Sequence, residues 1–79
     1  ALLHVERTLS GEMEALQFNQ EFHADLKANP GETLNDLILK AVDHLPARGE
    51  SVRIDAYVFT VLEPSMRGAR LISVRTFQE

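Results

Sequence analysis

Residues 33–63 read TLNDLILKAVDHLPARGESVRIDAYVFTVLE, and this stretch decides the fold because it passes from a helix period to a strand period. Its first part predicts an amphipathic helix, since its apolar residues recur every three or four positions and fall on one stripe. Thr33 is placed to cap this helix, and Asp36 lies near the positive end of its dipole. Pro46 cannot continue the backbone hydrogen-bond ladder, so we expect the helix to end near His44. The stripe consists of Leu34, Leu37, Ile38, Ala41, Val42 and Leu45.

After the loop that follows, the apolar residues recur with a period of two. Val52 and Ile54 alternate with polar residues, which is typical of a strand with one buried and one wet face. Residues 55–56 predict a tight turn, although the commonest two-residue turns carry glycine where Ala56 stands. Residues 57–63 are rich in β-branched and aromatic side chains and predict the second strand of a hairpin.

The segment before this stretch carries weaker patterns. Residues 3–9 alternate between apolar and polar side chains and predict a first strand. Ser10 is placed to cap a helix, and the apolar spacing that follows predicts about four turns ending near Lys27. The sequence Asn-Pro-Gly at 29–31 predicts the loop into the next helix.

The C-terminal segment predicts one more strand and an exposed surface. Residues 64–68 separate two strand-like runs, and we expect them to form a long, mobile hairpin loop. Residues 69–77 carry apolar side chains on both faces, which suits a central strand or a strand covered on its second face by a helix or a partner chain. We therefore expect an interface at Leu71, Arg75 and Phe77.

Length and composition describe one small domain, residues 1–79. A single core of this size supplies a stability of only ~3–5 kcal/mol, so association with a second copy or another domain is expected. The chain has no cysteine, which excludes disulfides and thiolate metal ligands. No apolar run reaches the roughly 20 residues that span a bilayer, so we expect no direct membrane insertion. The apolar start at 1–3, without Met, predicts a C-terminal fragment of a longer protein.

Charge is distributed unevenly along the chain. Residues 1–46 carry three basic and eight acidic residues, whereas residues 47–79 carry five and four. An acidic half of this kind repels a phosphate backbone, and the arginines of the other half are scattered. Nucleic acid is therefore not an expected partner.

A longer progression of residues runs through the second half of the chain. Its members are Thr33-Leu34, Leu37-Ile38-Leu39, Leu45-Pro46, Gly49-Glu50-Ser51-Val52, Ile54-Asp55, Tyr57, Phe59-Thr60-Val61-Leu62-Glu63, Arg70-Leu71-Ile72 and Val74-Arg75. The progression resembles the transporter-associated domain family, also called CorC/HlyC, whose members show TL–GL–L–LGRIP–GE–V–GY–F–VLE followed by RI–VRV. The chain departs from that pattern at Asn35 and Asp36, where the family has small residues, and at Ala56, where it has glycine.

The resemblance implies an α+β fold, a small and mostly antiparallel sheet with two helices packed on one face, related to a flavin-binding-type subdomain but without its cofactor site. It implies a non-catalytic regulatory or interaction domain of a membrane ion transporter or its accessory protein, linked to divalent-cation (magnesium or cobalt) efflux. Family members lie on the cytoplasmic side of the membrane, so the implied partners are the upstream CBS and membrane domains of the same chain, together with a possible homodimer. The resemblance implies no cofactor and no catalytic residue.

The residues themselves offer few candidates for a site. Asp36 and Asp43 are seven positions apart on one helix face, so they are candidates for weak binding of a divalent cation such as Mg²⁺ or Ca²⁺. Lys40 lies between them, and ion pairs to it would explain the same residues as a solvated face. The three histidines lack the paired spacing of metal ligands, and no serine has a neighbouring base, so we expect no enzyme. The alternative function, sensing a small ligand or a divalent cation, depends on these acidic residues.

Overall fold

Two helices and a four-stranded sheet build the fold, in a computed structural model that describes residues 6–76. In chain order the elements are β1 (Arg7–Ser10), α1 (Ala15–Phe22), α2 (Leu34–Val42), β2 (Ser51–Ile54), β3 (Tyr57–Ser65) and β4 (Gly68–Thr76). All strand pairs are antiparallel, and the order across the sheet is β1-β4-β3-β2, so the first strand lies beside the last. The predicted α+β class is therefore confirmed.

Helix α2 begins as the sequence predicts. The Thr33 hydroxyl accepts a hydrogen bond from the Asp36 N–H at 3.1 Å, and the Asp36 carboxylate accepts one from the Thr33 N–H at 3.0 Å. These two bonds form a capping box, which satisfies two backbone donors that the first turn leaves unpaired. The helix ends at Val42 because Asp43 takes a left-handed conformation (φ 60°). Ala41 and Leu45, both predicted on the buried stripe, are exposed, Leu45 by 61%, so that part of the prediction was wrong.

Helix α1 is shorter than the four turns predicted from its apolar spacing. It ends at Phe22, where His23 takes a left-handed φ of 53°. Leu26 still reaches the core, because the Asn19 side chain holds its backbone from both sides, accepting from the Leu26 N–H at 2.9 Å and donating to its carbonyl at 3.0 Å. Ser10 does not cap this helix; it belongs to β1, and the N-cap position is Glu14.

Both helices pack on the same face of the sheet and bury its apolar side chains. Phe18 of α1 lies at the centre, with ring centroids 4.5 Å from Phe22, 5.3 Å from Tyr57 and 5.7 Å from Phe59. Phe59 is completely buried, as expected for a residue that shares the core face of β3 with Tyr57 and Val61. The buried core cluster consists of Ala15, Phe18, Leu26, Leu34, Leu37, Ile38, Phe59, Val61, Ala69, Ile72 and Val74.

The hairpin between β3 and β4 corrects the prediction of a long, mobile loop at residues 64–68. Strand β3 continues through Pro64 to Ser65, and only Met66 and Arg67 connect it to β4. Proline is tolerated in β3 because β2 pairs with that strand only as far as Thr60, and because the register shifts next to Pro64. The connection is therefore a tight turn.

The opposite hairpin matches its prediction. Residues 55 and 56 connect β2 to β3, with Ile54 paired to Tyr57. Asp55 supplies the positive φ of this turn (57°), which a glycine would supply more easily. Of the predicted first strand, β1 covers Arg7–Ser10, and residues 1–5 lie outside the described part of the chain.

Candidate functional site

The second face of the sheet is covered by neither α1 nor α2. Successive strand residues point to opposite sides, so the neighbours of the core residues point away from the helices. We call this surface the open face. Its residues are Glu6, Thr8, Ser51, Arg53, Val58, Thr60, Leu71, Ser73 and Arg75.

A row of four hydroxyl side chains crosses the open face. The register pairs Thr8 with Ser73, Ser73 with Thr60, and Thr60 with Ser51, so each strand contributes one member. The Ser51 and Thr60 hydroxyl oxygens lie 2.8 Å apart, and the Ser73 hydroxyl donates to the Glu6 carboxylate at 2.9 Å. Hydroxyls both donate and accept hydrogen bonds, and the exposed Thr8 and Ser51 at the two edges of the row can pair with a polar surface, whereas Ser73 is only 7% exposed.

A second row carries charge. Arg75 on β4 pairs with Val58 on β3, and Val58 pairs with Arg53 on β2. Because Arg7 pairs with Val74, the same register places Glu6 beside Arg75. Both Arg53 and Arg75 are exposed, whereas Val58 between them is only 7% exposed. The row therefore presents one acid and two guanidinium groups around an apolar centre.

The interface predicted from the sequence lies on this surface. Leu71 is half-buried and Arg75 is exposed, and both alternate with the core residues Ile72 and Val74. Phe77 lies outside the described residues. That these side chains contact a partner stays a prediction, and the open face is where such a partner would dock.

The two predicted metal ligands have separate roles at the ends of α2. Asp36 closes the capping box through its carboxylate, and Asp43 is the left-handed residue that ends the helix. Seven helical positions separate their α-carbons by about 10.5 Å along the axis. Within residues 6–76, no group of three or more His, Asp or Glu side chains is arranged to hold a metal ion. Weak cation binding at this pair stays a prediction.

Lys40 pairs with a different partner from those the sequence suggested. Its ammonium contacts the Glu32 carboxylate in the loop before α2 rather than Asp36 or Asp43. The hydrogen bond from Lys40, and next the backbone N–H of Asn29, lower the pKa of the Glu32 carboxyl below its usual 4.5. The ion pair ties the loop at residues 29–32 to the helix.

A second exposed pair lies at the far end of α2. His44 Nε2 lies 2.6 Å from a Glu50 carboxylate oxygen. The pKa of the Glu50 carboxyl is lowered, mainly by the backbone N–H of Ala47 and to a smaller extent by His44. His23 ends α1, and His4 lies outside the described residues, so the structure does not bring the histidines together in its described part.

One polar contact was missed by sequence reasoning. The Asn35 side chain accepts from the Ala69 N–H at 2.6 Å and donates to the Arg67 carbonyl at 3.0 Å, so it fastens α2 to the β3–β4 turn. A Cβ on Gly68 would lie 2.2 Å from the Asn35 amide oxygen, which explains the glycine there. The signal in the sequence was the departure from the family pattern at Asn35. The turn it fastens presents Met66, which is 94% exposed.

None of the helices within residues 6–76 is long and apolar enough to cross a membrane.

The profile of the family described as transporter associated domain, CorC_HlyC, matches residues 6–78. The magnesium and cobalt efflux protein CorC of Escherichia coli K12 is 39% identical over 57 residues, which are 72% of this chain and 19% of that protein. The protein of the same name from Buchnera aphidicola of Acyrthosiphon pisum is 38% identical over 48 residues, 61% of this chain and 16% of that protein. The chain thus spans about a fifth of the length of the curated relatives it matches.

The fold also matches a solved structure. The crystal structure of a putative Mg²⁺ and Co²⁺ transporter (CorC) associated region from Neisseria meningitidis MC58 aligns with a TM-score of 0.84 and 23% identity. The alignment covers 98% of this chain and 95% of that one. At this identity the likeness shows a shared fold.

Proposed function

This chain belongs to the transporter-associated domain family, and from that premise we propose that it is a non-catalytic regulatory domain of an ion-transport protein, linked to magnesium and cobalt efflux. It acts on the cytoplasmic side of the membrane. Its partners are the CBS and membrane domains of the same protein, and it also associates with a second copy of itself.

The observation that carries this proposal is the match to the efflux proteins named above, in which a domain of this length makes up only about a fifth of the protein. The arrangement of polar groups supports a docking role. The Asp36 carboxylate and the Asn19 and Asn35 amides each fasten backbone segments of the domain itself. The open face, by contrast, presents side chains that point away from the core.

The mechanism would be packing rather than chemistry. A docked domain shifts the equilibrium between two transport states only if it binds one of them more tightly. A tenfold shift in their ratio requires a difference of about 1.4 kcal/mol, which a few contacts on the open face can supply.

The test uses the full-length protein that carries this chain. We expect Arg75→Ala to change the rate of Mg²⁺ or Co²⁺ efflux from cells while the protein level in the membrane stays the same. Arg70→Ala is the matched control, since Arg70 is also an exposed arginine of β4 but lies outside the open face. Equal effects of the two variants would refute docking through this face, and an unchanged rate after deletion of residues 6–76 would refute the regulatory function itself.

The alternative function, cation sensing at Asp36 and Asp43, predicts a different result in solution. Calorimetric titration of the chain with Mg²⁺, Ca²⁺ and adenine nucleotides should give no stoichiometric heat for a docking domain. A heat of binding for Mg²⁺ that disappears in Asp43→Asn would establish the sensor instead. Asp43 is the better position to change, because altering Asp36 would also remove the capping box of α2.

A further inference from the structure

The order of charges along one row of the open face is self-complementary. Across the sheet, one row presents Glu6 directly before β1, Arg75 on β4, Val58 on β3 and Arg53 on β2. The acid stands at one edge of the row and an arginine at the other. When such a row is reversed and placed opposite a second copy of itself, the acid of each copy faces the arginine of the other at both edges.

A twofold rotation makes this superposition. The rotation axis runs parallel to the strands and lies midway between the two open faces. The rotation reverses the order of the strands in the second copy but leaves each row at the same position along the strands, so each row faces its own copy. Glu6 then faces Arg53 of the second copy, and Arg75 faces Val58, so no like charges meet. We propose that the occupant of the open face is a second copy of this chain in this twofold arrangement, which rests on the proposed docking function. Such an interface is isologous, so each pair occurs twice and the assembly closes as a dimer.

The hydroxyl row fits the same arrangement. Rotation places Thr8 opposite Ser51 and Ser73 opposite Thr60 of the second copy. The exposed Thr8 and Ser51 hydroxyls can donate to or accept from each other, whereas the Ser73 hydroxyl donates to Glu6 and is only 7% exposed, so the contact is made at the edges of the row.

The helical side of the domain is a poorer surface for a second copy. Its exposed carboxylates include Glu12, Glu14, Glu21 and Asp43, and self-association there would bring like charges together. The charge distribution therefore favours the open face for self-association.

The size of the open face sets the strength of the dimer. The strands lie about 4.8 Å apart and the stretch that all four share is about 10 Å long, so the common area is about 200 Å² per copy. Stable complexes bury about 800 Å² per partner, so a weak and reversible dimer is expected.

Charge reversal tests the pairing through sedimentation equilibrium of the 79-residue chain. Glu6→Arg and Arg53→Glu should each weaken dimerisation at least tenfold, because each homodimer then contains two like-charged contacts. An equimolar mixture of the two variants should form a heterodimer with an affinity within about threefold of the unchanged chain, because both contacts again pair opposite charges. Arg70→Glu, a charge reversal on the same sheet outside the open face, should leave the affinity unchanged.

A chain that remains monomeric up to about 1 mM, or a mixture that associates no better than its separate components, would overturn the proposal. If a reversal lowers the melting temperature, Glu6→Gln and Arg53→Gln replace the pair. Each should then weaken the dimer, and their mixture should associate more tightly than either variant alone, because the mixed dimer keeps one of the two Glu6–Arg53 contacts. A negative result here, together with altered efflux in Arg75→Ala, would reject the dimer and leave the regulatory function standing.

Discussion

The two faces of this sheet come from the same four strands but hold different classes of side chain. On the covered face Phe59, Ile72 and Val74 are at most 3% exposed and pack under both helices. On the open face the residues next to them in sequence form a hydroxyl row and a charged row. The apolar core therefore lies on one side of the sheet, and the exposed polar side chains of Thr8, Arg53 and Arg75 lie on the other.

Neighbouring positions in one strand therefore differ in role, because one side chain lies in the core and the next lies on the outer surface. A shift of one residue moves a side chain from the core to the outer surface. Matched substitutions at such neighbours can therefore separate folding from docking.

The largest effect is expected at Phe59, which is completely buried and lies 5.7 Å from the ring of Phe18. Removing a buried phenylalanine ring costs about 3–5 kcal/mol, comparable with the whole stability expected for a core of this size. Phe59→Ala should therefore leave the chain largely unfolded, as measured by circular dichroism and urea titration. Thr60→Ala, one residue along on the open face, should cost less than about 1 kcal/mol. Similar losses at both positions would contradict the division between the faces.

The two valines on opposite faces give a sharper comparison. Val74 is covered by the helices, whereas Val58 lies between two arginines on the open face. Threonine has nearly the shape of valine but adds a hydroxyl, which costs about 1–3 kcal/mol when it is buried without a partner. We expect Val74→Thr to lose that amount. Val58 is itself only 7% exposed, but Val58→Thr should lose less than about 1 kcal/mol, because the guanidinium groups of its cross-strand neighbours Arg53 and Arg75 can donate to the new hydroxyl.

Urea titration of the two variants at one temperature checks this prediction. Equal losses would mean that the environment of Val58 is as apolar as that of Val74. That result would also count against the polar character assigned to the open face.

The sequence predicts the covered face better than the open one. The periodic apolar residues of α2, β2 and β3 gave the class, and the Thr33 cap is a local signal between residues close in the chain. The end of α1 could not be predicted, because it depends on the backbone of Leu26 meeting the side chain of Asn19 seven residues away. Leu45 was misassigned for a related reason, since Asp43 ends the helix before the stripe is complete.

The open face depends on contacts between distant parts of the chain. Leu71 and Arg75 could be assigned to one face from alternation alone. The hydroxyl row required the register that brings Thr8, Ser73, Thr60 and Ser51 together, and no local pattern sets that register. The same limit applies to Asn35, whose hydrogen-bond partners lie more than 30 positions later.

Two threonines extend the comparison to smaller effects. Thr33 caps α2 with its hydroxyl, and removal of such a cap typically costs about 1 kcal/mol. Thr8 is exposed in the hydroxyl row of the open face. Thr33→Ala should lower stability by about that amount and Thr8→Ala by less than about 0.5 kcal/mol. Thermal melts of the two variants measure the difference, and a larger loss for Thr8→Ala would refute it.

The smallest effect is an acid sensitivity that belongs to the loops around α2 rather than to the open face. Folding lowers the pKa of Glu32, mainly through Lys40, and that of Glu50, mainly through the backbone N–H of Ala47. A carboxyl whose pKa falls on folding adds stability that is fully present above its unfolded value, near 4.5, and is lost as the pH falls through the folded value. The urea midpoint should therefore be constant from about pH 6 down to about 4.5 and should decrease below it.

The causes of the two shifts predict different responses to removal of the partner side chain. Lys40→Gln removes the largest cause for Glu32, so that carboxyl should lose most of its contribution to the acid sensitivity. His44→Gln removes only a smaller cause for Glu50, because the Ala47 N–H still binds the carboxylate, so its contribution should largely remain. Both pairs are exposed, so salt should weaken the ionic part of each effect. If Glu32→Gln combined with Glu50→Gln leaves the decrease below pH 4.5 unchanged, these two carboxyls are not the source of the acid sensitivity.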